Sequence, residues 1–150
     1  LEGNKNMLMA ANIAGKAINI TQTTAGHAMC YKLTAQYGIA HGHAAALCVD
    51  VLWPWLQEHT HACSDSRGEC YLRKILSRLD KVFHNGRDCG GHKLYRKLLD
   101  SLDLKKIVIR LEDIQKLAQT VNPVRLKNHP VKMSNEDIQG LYEAIRNRSN

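Results

Sequence analysis

Hydrophobic residues recur every three or four positions along most of the chain, which is the spacing of one helix face. The pattern predicts a helix that begins after Thr23 or Thr24, a last helix after Ser134, and further helices over residues 4–20, 42–57, 69–84, 91–99 and 111–121. Residues 106–111 resemble a strand, but the stretch is short and has no second strand to pair with. We interpret it as a connection, and the predicted fold class is an all-α helical bundle.

The first predicted helix, residues 4–20, carries apolar side chains on nearly all of its sides. A helix that is hydrophobic all round is normally buried, so we predict a core helix here. Its small residues Ala10, Ala14, Gly15 and Ala17 would let neighbouring helices approach closely.

Proline and asparagine–glycine signals predict where three of the helices end. Pro54 predicts that the third helix kinks or ends near Trp53, because proline cannot donate the helical hydrogen bond. Asn85-Gly86 predicts the end of the fourth helix, and Asn122-Pro123 predicts the end of the sixth.

The last helix has the clearest start signal. Ser134 is followed three positions later by Asp137, a spacing that resembles a capping box. The apolar residues that follow recur at helical spacing, so we predict a buried stripe made of Ile138, Leu141, Tyr142 and Ile145.

Length and composition limit the class of protein. The 150 residues are enough for one domain with a single core. No run is long enough to cross a membrane and no leader pattern is present, so a cytoplasmic protein is the default expectation. The five cysteines are an odd number without a CxxC pair, which indicates free thiols in a reducing compartment.

The net charge of +7 favours anionic partners without identifying one. Basic residues cluster in the fourth predicted helix, so a helical nucleic-acid-binding or interaction module is the alternative hypothesis. The chain lacks a recognisable recognition helix and has few aromatic residues for stacking on bases. We therefore interpret the basic residues as a solvated face and expect no nucleic-acid partner.

His27 and His41 are the residues with the clearest chemical potential. Neutral imidazole is a good ligand for iron, zinc and related divalent ions. Two histidines rarely hold a catalytic metal without a third ligand, often a carboxylate. From their spacing alone, a packed or exposed histidine is the more common outcome.

The positions of the two histidines make a geometric demand. If the helix that carries His27 ran unbroken to Tyr37, His41 would begin its own helix about 15 Å away. We therefore predict that the helix ends near Thr34 and that residues 35–40 run back beside it. Gly38 suits this reversal because glycine tolerates positive φ.

Four segments of the chain resemble the iron-containing alcohol dehydrogenase family. Residues 10–17 look like its small-residue helix. Gly26-His27 and residues 38–44 are similar to its two metal-ligand motifs, and Asn122-Pro123 followed by residues 134–138 is similar to its C-terminal end. Among the subgroups, residues 16–27 look most like the phosphonoacetaldehyde reductase type.

The resemblance implies a fold, a site and a set of partners. The whole chain, 1–150, would be the helical metal-binding C-terminal domain, with the dehydroquinate synthase-like fold, and the N-terminal dinucleotide-binding domain would be absent. His27 and His41 would bind a divalent metal, Fe²⁺ or alternatively Zn²⁺, and Tyr31 and His43 would line the substrate or cofactor pocket. A complete enzyme would use NAD(P) to reduce a small aldehyde or oxidise the alcohol. No membrane partner is expected, and assembly into a homo-oligomer is left open. The isolated chain would be inactive.

Several positions depart from the family pattern. Tyr31 stands where many members carry another histidine, and Ala40 and Asp50 stand where proline is usual. Asp50 would either be exposed or alter the helix behind the metal. Two minor predictions concern other side chains. A structural zinc site is possible at His59, His61, Cys63 and Cys70, but we favour a polar loop there. Surface positions are predicted for His84, His92 and His129.

Overall fold

A computed structural model of the protein describes residues 2–84 and 90–149. Over these ranges the chain forms eight α-helices and one short 3₁₀ turn, with no strand, which confirms the predicted all-α fold. The predicted stop at Asn85-Gly86 lies outside the described residues. The helices are α1 (Glu2–Ile20), α2 (Ala25–Tyr37), α3 (His41–Glu58), α4 (Gly68–His84), α5 (Gly91–Ser101), α6 (Leu111–Gln119), α7 (Pro123–Leu126) and α8 (Asn135–Ser149), and the 3₁₀ turn is Thr60–Ala62.

The core lies where α2, α3, α6 and α8 pack on one another. Tyr142 of α8 is fully buried, and its hydroxyl donates a hydrogen bond of 3.0 Å to the carbonyl of Met29 in α2. The predicted stripe of α8 is confirmed, because all four of its residues are buried. Ile107 and Ile109 of the connection between α5 and α6 also enter the core, although no strand forms there.

The start of α8 is a capping box, as predicted. The Asp137 backbone N–H donates to Ser134 Oγ at 3.1 Å, and the Ser134 N–H donates to the Asp137 carboxylate at 2.8 Å. These two bonds satisfy N–H groups that the first turn of a helix leaves unpaired. Asn122 plays a similar part for α7, since its side chain accepts from the Val124 N–H at 2.9 Å.

The prediction that the first helix is buried is wrong for this chain. Helix α1 forms, but no residue in it is buried, and Leu8 and Ile20 are 73% and 85% exposed. Its apolar residues point to several sides, so burial would need neighbours on several sides. The described part of the chain does not provide them.

Of the two outcomes predicted for Pro54, a kink or an end near Trp53, the end does not occur, because helix α3 continues past the proline to Glu58. Pro54 has no N–H for the carbonyl of Asp50, four residues earlier. His92 of α5 replaces that donor, because its Nε2 lies 2.7 Å from the Asp50 carbonyl oxygen. A donor from another helix therefore satisfies the carbonyl that the proline leaves unpaired.

The Asp50 side chain is fully buried, which excludes the alternative that it is exposed. Its carboxylate accepts from Arg96 of α5 at 3.2 Å and from Arg148 of α8 at 2.5 Å, and lies 3.1 Å from His92 Nε2. A buried carboxylate is tolerated when it is paired and hydrogen-bonded, and here the pairing ties three helices together. His92 is consequently not the surface residue that we expected.

His129 is the second histidine whose surface prediction is wrong. It is only 4% exposed and its ring lies near that of Trp55, with a centroid distance of 6.3 Å. The loop between α7 and α8 places it inside because it is anchored at Val131, which is buried and bridges to Cys63.

Two composition-based expectations can be compared with the structure. Cys30, Cys48, Cys63 and Cys70 are all free thiols, and Cys89 lies outside the described ranges. None of the helices seen in residues 2–84 and 90–149 combines the length and apolar character that a bilayer span requires.

Candidate metal centre

The two histidines at the centre of the site stand near the starts of consecutive helices. His27 is in the first turn of α2 and His41 is the first residue of α3. Helix α2 does not end near Thr34 as predicted. It runs to Tyr37, and the Gly38 N–H closes it by donating to the Thr34 carbonyl at 3.0 Å.

The reversal takes only residues 38–40. Gly38 has φ of 63°, the left-handed conformation that the sequence predicted for it, and Ala40 is extended in ψ at 139°. The chain therefore turns back within three residues, and the early helix end that the geometric prediction required is not needed.

The chain brings four side chains together at this point. The ring centroids of His27 and His41 are 5.4 Å apart, and the ring of Tyr31, one helical turn after His27, is 5.1 Å from that of His41. Cys30 Sγ lies 3.8 Å from Nδ1 and 4.0 Å from Nε2 of His41, and it donates to the His27 carbonyl at 3.3 Å. The structure thus brings together His27, His41 and Tyr31, and adds Cys30.

Electrostatics in the cluster favour uncharged side chains. Burial lowers the pKa of His27, and the nearby His41 and Arg125 lower it further. Burial raises the pKa of the Cys30 thiol, although Arg125 partly opposes the shift. At neutral pH the His27 imidazole is therefore uncharged, with a lone pair free to bind a metal, and Cys30 is a thiol.

His43 is not part of this ring cluster. Two residues after His41 on the same helix, it points about 200° away around the axis. It lines a separate cavity of about 260 Å³ together with Leu47, Lys106 and Arg148. Burial lowers its pKa, with a smaller contribution from Arg148.

The donor set fits part of a metal sphere. Two imidazoles that approach each other are a suitable pair of ligands for a divalent ion, but catalytic sites usually have three protein ligands. Within the described residues no group of three or more histidine, cysteine, aspartate or glutamate side chains is arranged to hold a metal. A metal held by His27 and His41 would therefore need further ligands from outside these residues.

The disfavoured zinc site does not assemble either. His59 stacks on Trp55 with ring centroids 4.2 Å apart, and its Nδ1 lies 2.7 Å from the Trp55 carbonyl oxygen. With one ring nitrogen engaged in this way, His59 behaves as a packed loop residue.

Sequence reasoning missed one residue at the centre. The guanidinium carbon of Arg125, in α7, lies 4.5 Å above the centroid of the Tyr31 ring, because α7 packs against α2. Asn122-Pro123 was interpreted only as a helix break. Proline favours the first turn of a new helix as well, and that signal would have placed Arg125 on a short helix after the break.

The fold and the site define a class of protein. Residues 1–146 match the model of the Fe-containing alcohol dehydrogenase family, C-terminal, and the chain belongs to that family. A curated relative is the phosphonoacetaldehyde reductase of Streptomyces viridochromogenes, 37% identical over 75 residues. That match covers 47% of this chain and 18% of the relative, so the chain spans a small part of the relative's length. No solved structure matches the chain.

Proposed function

We propose that this chain is the metal-binding helical part of an NAD(P)-dependent alcohol dehydrogenase or aldehyde reductase, with His27 and His41 as two of the metal ligands. The observation that supports the proposal is the 5.4 Å approach of the two rings, within the segments that resemble the family's ligand motifs. Membership of the family supports the reaction class.

The proposed roles follow from the chemistry of each side chain. A bound Fe²⁺ or Zn²⁺ would supply Lewis-acid polarisation of the substrate oxygen. His27 and His41 would hold the ion, and the low pKa of His27 keeps its nitrogen available. Tyr31, 42% exposed beside His41, would form a wall of the substrate or nicotinamide pocket. His43 remains a predicted pocket residue, now assigned to the neighbouring cavity.

The remaining partners are proposed from the family and the relative. A dinucleotide-binding domain outside these 150 residues would bind NAD(P) and align the nicotinamide with the substrate carbon. The substrate would be a small aldehyde or the corresponding alcohol, and the name of the Streptomyces relative points to one that carries a phosphonate. We also propose a cytoplasmic location.

Metal titration of the chain tests the ligand assignment. Zn²⁺ added at neutral pH should shift the imidazole NMR signals of His27 and His41 in a saturable way, and either His→Ala substitution should abolish saturation at the other ring. His61→Ala is the matched control, because this exposed histidine lies in the 3₁₀ turn, outside the ring cluster. The proposal would be contradicted if the remaining ring still shifted in a saturable way in each of the two variants, or if the shifts disappeared in the control.

A further inference from the structure

The Tyr31 ring contacts one proposed metal ligand, His41, and a cation, Arg125. Its ring lies 5.1 Å from that of His41, and the Arg125 guanidinium carbon lies 4.5 Å above it. The guanidinium therefore lies over a ring that is itself next to one of the two proposed ligands.

Arg125 has no carboxylate partner among the described residues, unlike Arg96, Arg110 and Arg148. Arg96 and Arg148 both pair with Asp50, and Arg110 pairs with Asp113. The Arg125 guanidinium instead lies over the face of the Tyr31 ring. Stacking on a ring leaves the N–H donors at the edge of a guanidinium available, so Arg125 can still bind an anion.

The guanidinium is also accessible. Arg125 is exposed and lines a cavity of about 430 Å³ together with Gln22, Thr23, Asn122 and Asn128. None of these neighbours is negatively charged, so an anion that enters the cavity meets no acidic side chain there.

We propose that Arg125, oriented by the ring of Tyr31, binds the anionic group of a substrate whose carbonyl oxygen lies at the His27–His41 pair. The fork of guanidinium N–H groups matches the oxygens of a phosphonate, phosphate or carboxylate. The inference rests on the proposed function for the carbonyl end, and it assigns a specificity-determining residue for the other end. Tyr31 is a positioning residue that holds the fork in place.

The position of Tyr31 supports this division of roles. The guanidinium carbon of Arg125 lies over the face of its ring, and an aromatic face attracts a guanidinium. The tyrosine thus permits a cation beside the metal ligands.

The test uses the 150-residue chain and methylphosphonate as the probe. Titration at constant ionic strength should shift the Arg125 Nε–H and Tyr31 ring NMR signals in a saturable way. Dimethyl methylphosphonate, which has the same core without the charge, should give no saturable shift. If methylphosphonate gives none either, the inference is overturned.

Variants identify the residue responsible. Arg125→Gln should weaken methylphosphonate binding by about tenfold or more, the effect of losing one charged hydrogen-bonding group. Arg125→Lys should restore part of the affinity, because it keeps the charge without the fork, and Tyr31→Leu should weaken binding less than Arg125→Gln. Arg78→Gln, an exposed arginine on α4, controls for net charge. Equal weakening by Arg78→Gln, or unchanged binding in Arg125→Gln, overturns the inference.

Failure of the proposed function would have a different signature. Zn²⁺ shifts at His27 and His41 should persist in Arg125→Gln, which shows that the variant is folded and separates the two sites. If Zn²⁺ produces no shifts while methylphosphonate binding still depends on Arg125, the metal assignment fails and the anion site stands. If Zn²⁺ binds normally and methylphosphonate does not, the anion site fails alone.

Discussion

The buried imidazole of His129 has a direct consequence for stability. Neither of its ring nitrogens has a hydrogen-bond partner among the described residues, and burial lowers its pKa to about 4. A charged imidazole would be strongly disfavoured at this position, because nothing nearby compensates for its lost hydration.

This shift predicts a loss of stability in mild acid. In the unfolded chain His129 takes up a proton near pH 6.5, whereas in the folded chain it stays neutral down to about pH 4. The free energy of unfolding should therefore be unaffected by His129 above pH 6.5 and fall between pH 6.5 and 4, by about 3 kcal/mol in total. Urea denaturation at pH 7.5, 5.5 and 4.5 measures this change.

The contribution of His129 can be separated from that of other groups, since His27 and His43 also have lowered pKa values. The unfolding free energy of the wild type minus that of His129→Leu should decrease as the pH falls, because only the wild type carries the imidazole. A difference between the wild type and His129→Leu that does not change with pH would refute the argument.

At the scale of the element, the same reasoning about local signals succeeded at some positions and failed at others. The capping box of α8 and its buried stripe were predictable because all the residues involved lie within one helix. Gly38 was predictable because its positive φ is a local requirement. Each of these features is determined by residues that are close in sequence.

The early end predicted for α2 is a local error, since the turn at residues 38–40 lies next to it in sequence. Two other features depend on distant residues. Pro54 lies inside α3 because His92, far along the chain, supplies the missing donor. Arg125 was missed at the candidate site because its position depends on the packing of α7 against α2. Periodicity carries no information about such contacts.

Asp50 gives a prediction about what holds α3, α5 and α8 together. Arg148 binds two carboxylates, Asp50, which is fully buried, and Asp100, whose side chain is 64% exposed. Asp50→Asn should destabilise the fold by about 3 kcal/mol, because it breaks a buried charge pair. Asp100→Asn should cost less than about 1 kcal/mol, since an exposed ion pair contributes little.

Urea denaturation of the two variants at neutral pH compares a buried and an exposed carboxylate that pair with the same arginine, Arg148. Because both substitutions remove one carboxylate charge from the same guanidinium, a general effect of net charge would act equally on both. Equal costs for Asp50→Asn and Asp100→Asn would show that burial of the carboxylate does not matter here.

At the scale of the whole molecule, the distribution of charge bears on the alternative hypothesis. Several basic residues are engaged in ion pairs, including Arg73 with Glu69 on α4 and Arg110 with Asp113. Each of these pairs uses one cation and one carboxylate, so the net excess of +7 is unchanged. On α4, Arg73 is engaged by a glutamate of its own helix, as in a solvated helix face.

The most direct whole-molecule prediction concerns turnover. The part of the chain that the structure describes consists of helices and their connections. It contains no strand–glycine loop–helix unit, which is the usual motif that binds the pyrophosphate of NAD(P). The isolated chain should therefore oxidise neither NADH nor NADPH above background with small aldehydes, even with Zn²⁺ or Fe²⁺ added. Absorbance of the reduced nicotinamide measures this directly.

A negative result is informative only for a folded chain that binds metal. The same sample should therefore show the Zn²⁺ shifts at His27 and His41, which would establish that the proposed ligands are competent while hydride transfer is absent. Aldehyde-dependent oxidation of NADH that His41→Ala removes would show instead that these helices hold the nicotinamide themselves. In that case the proposed division of labour, with the metal here and the dinucleotide on another domain, would be wrong.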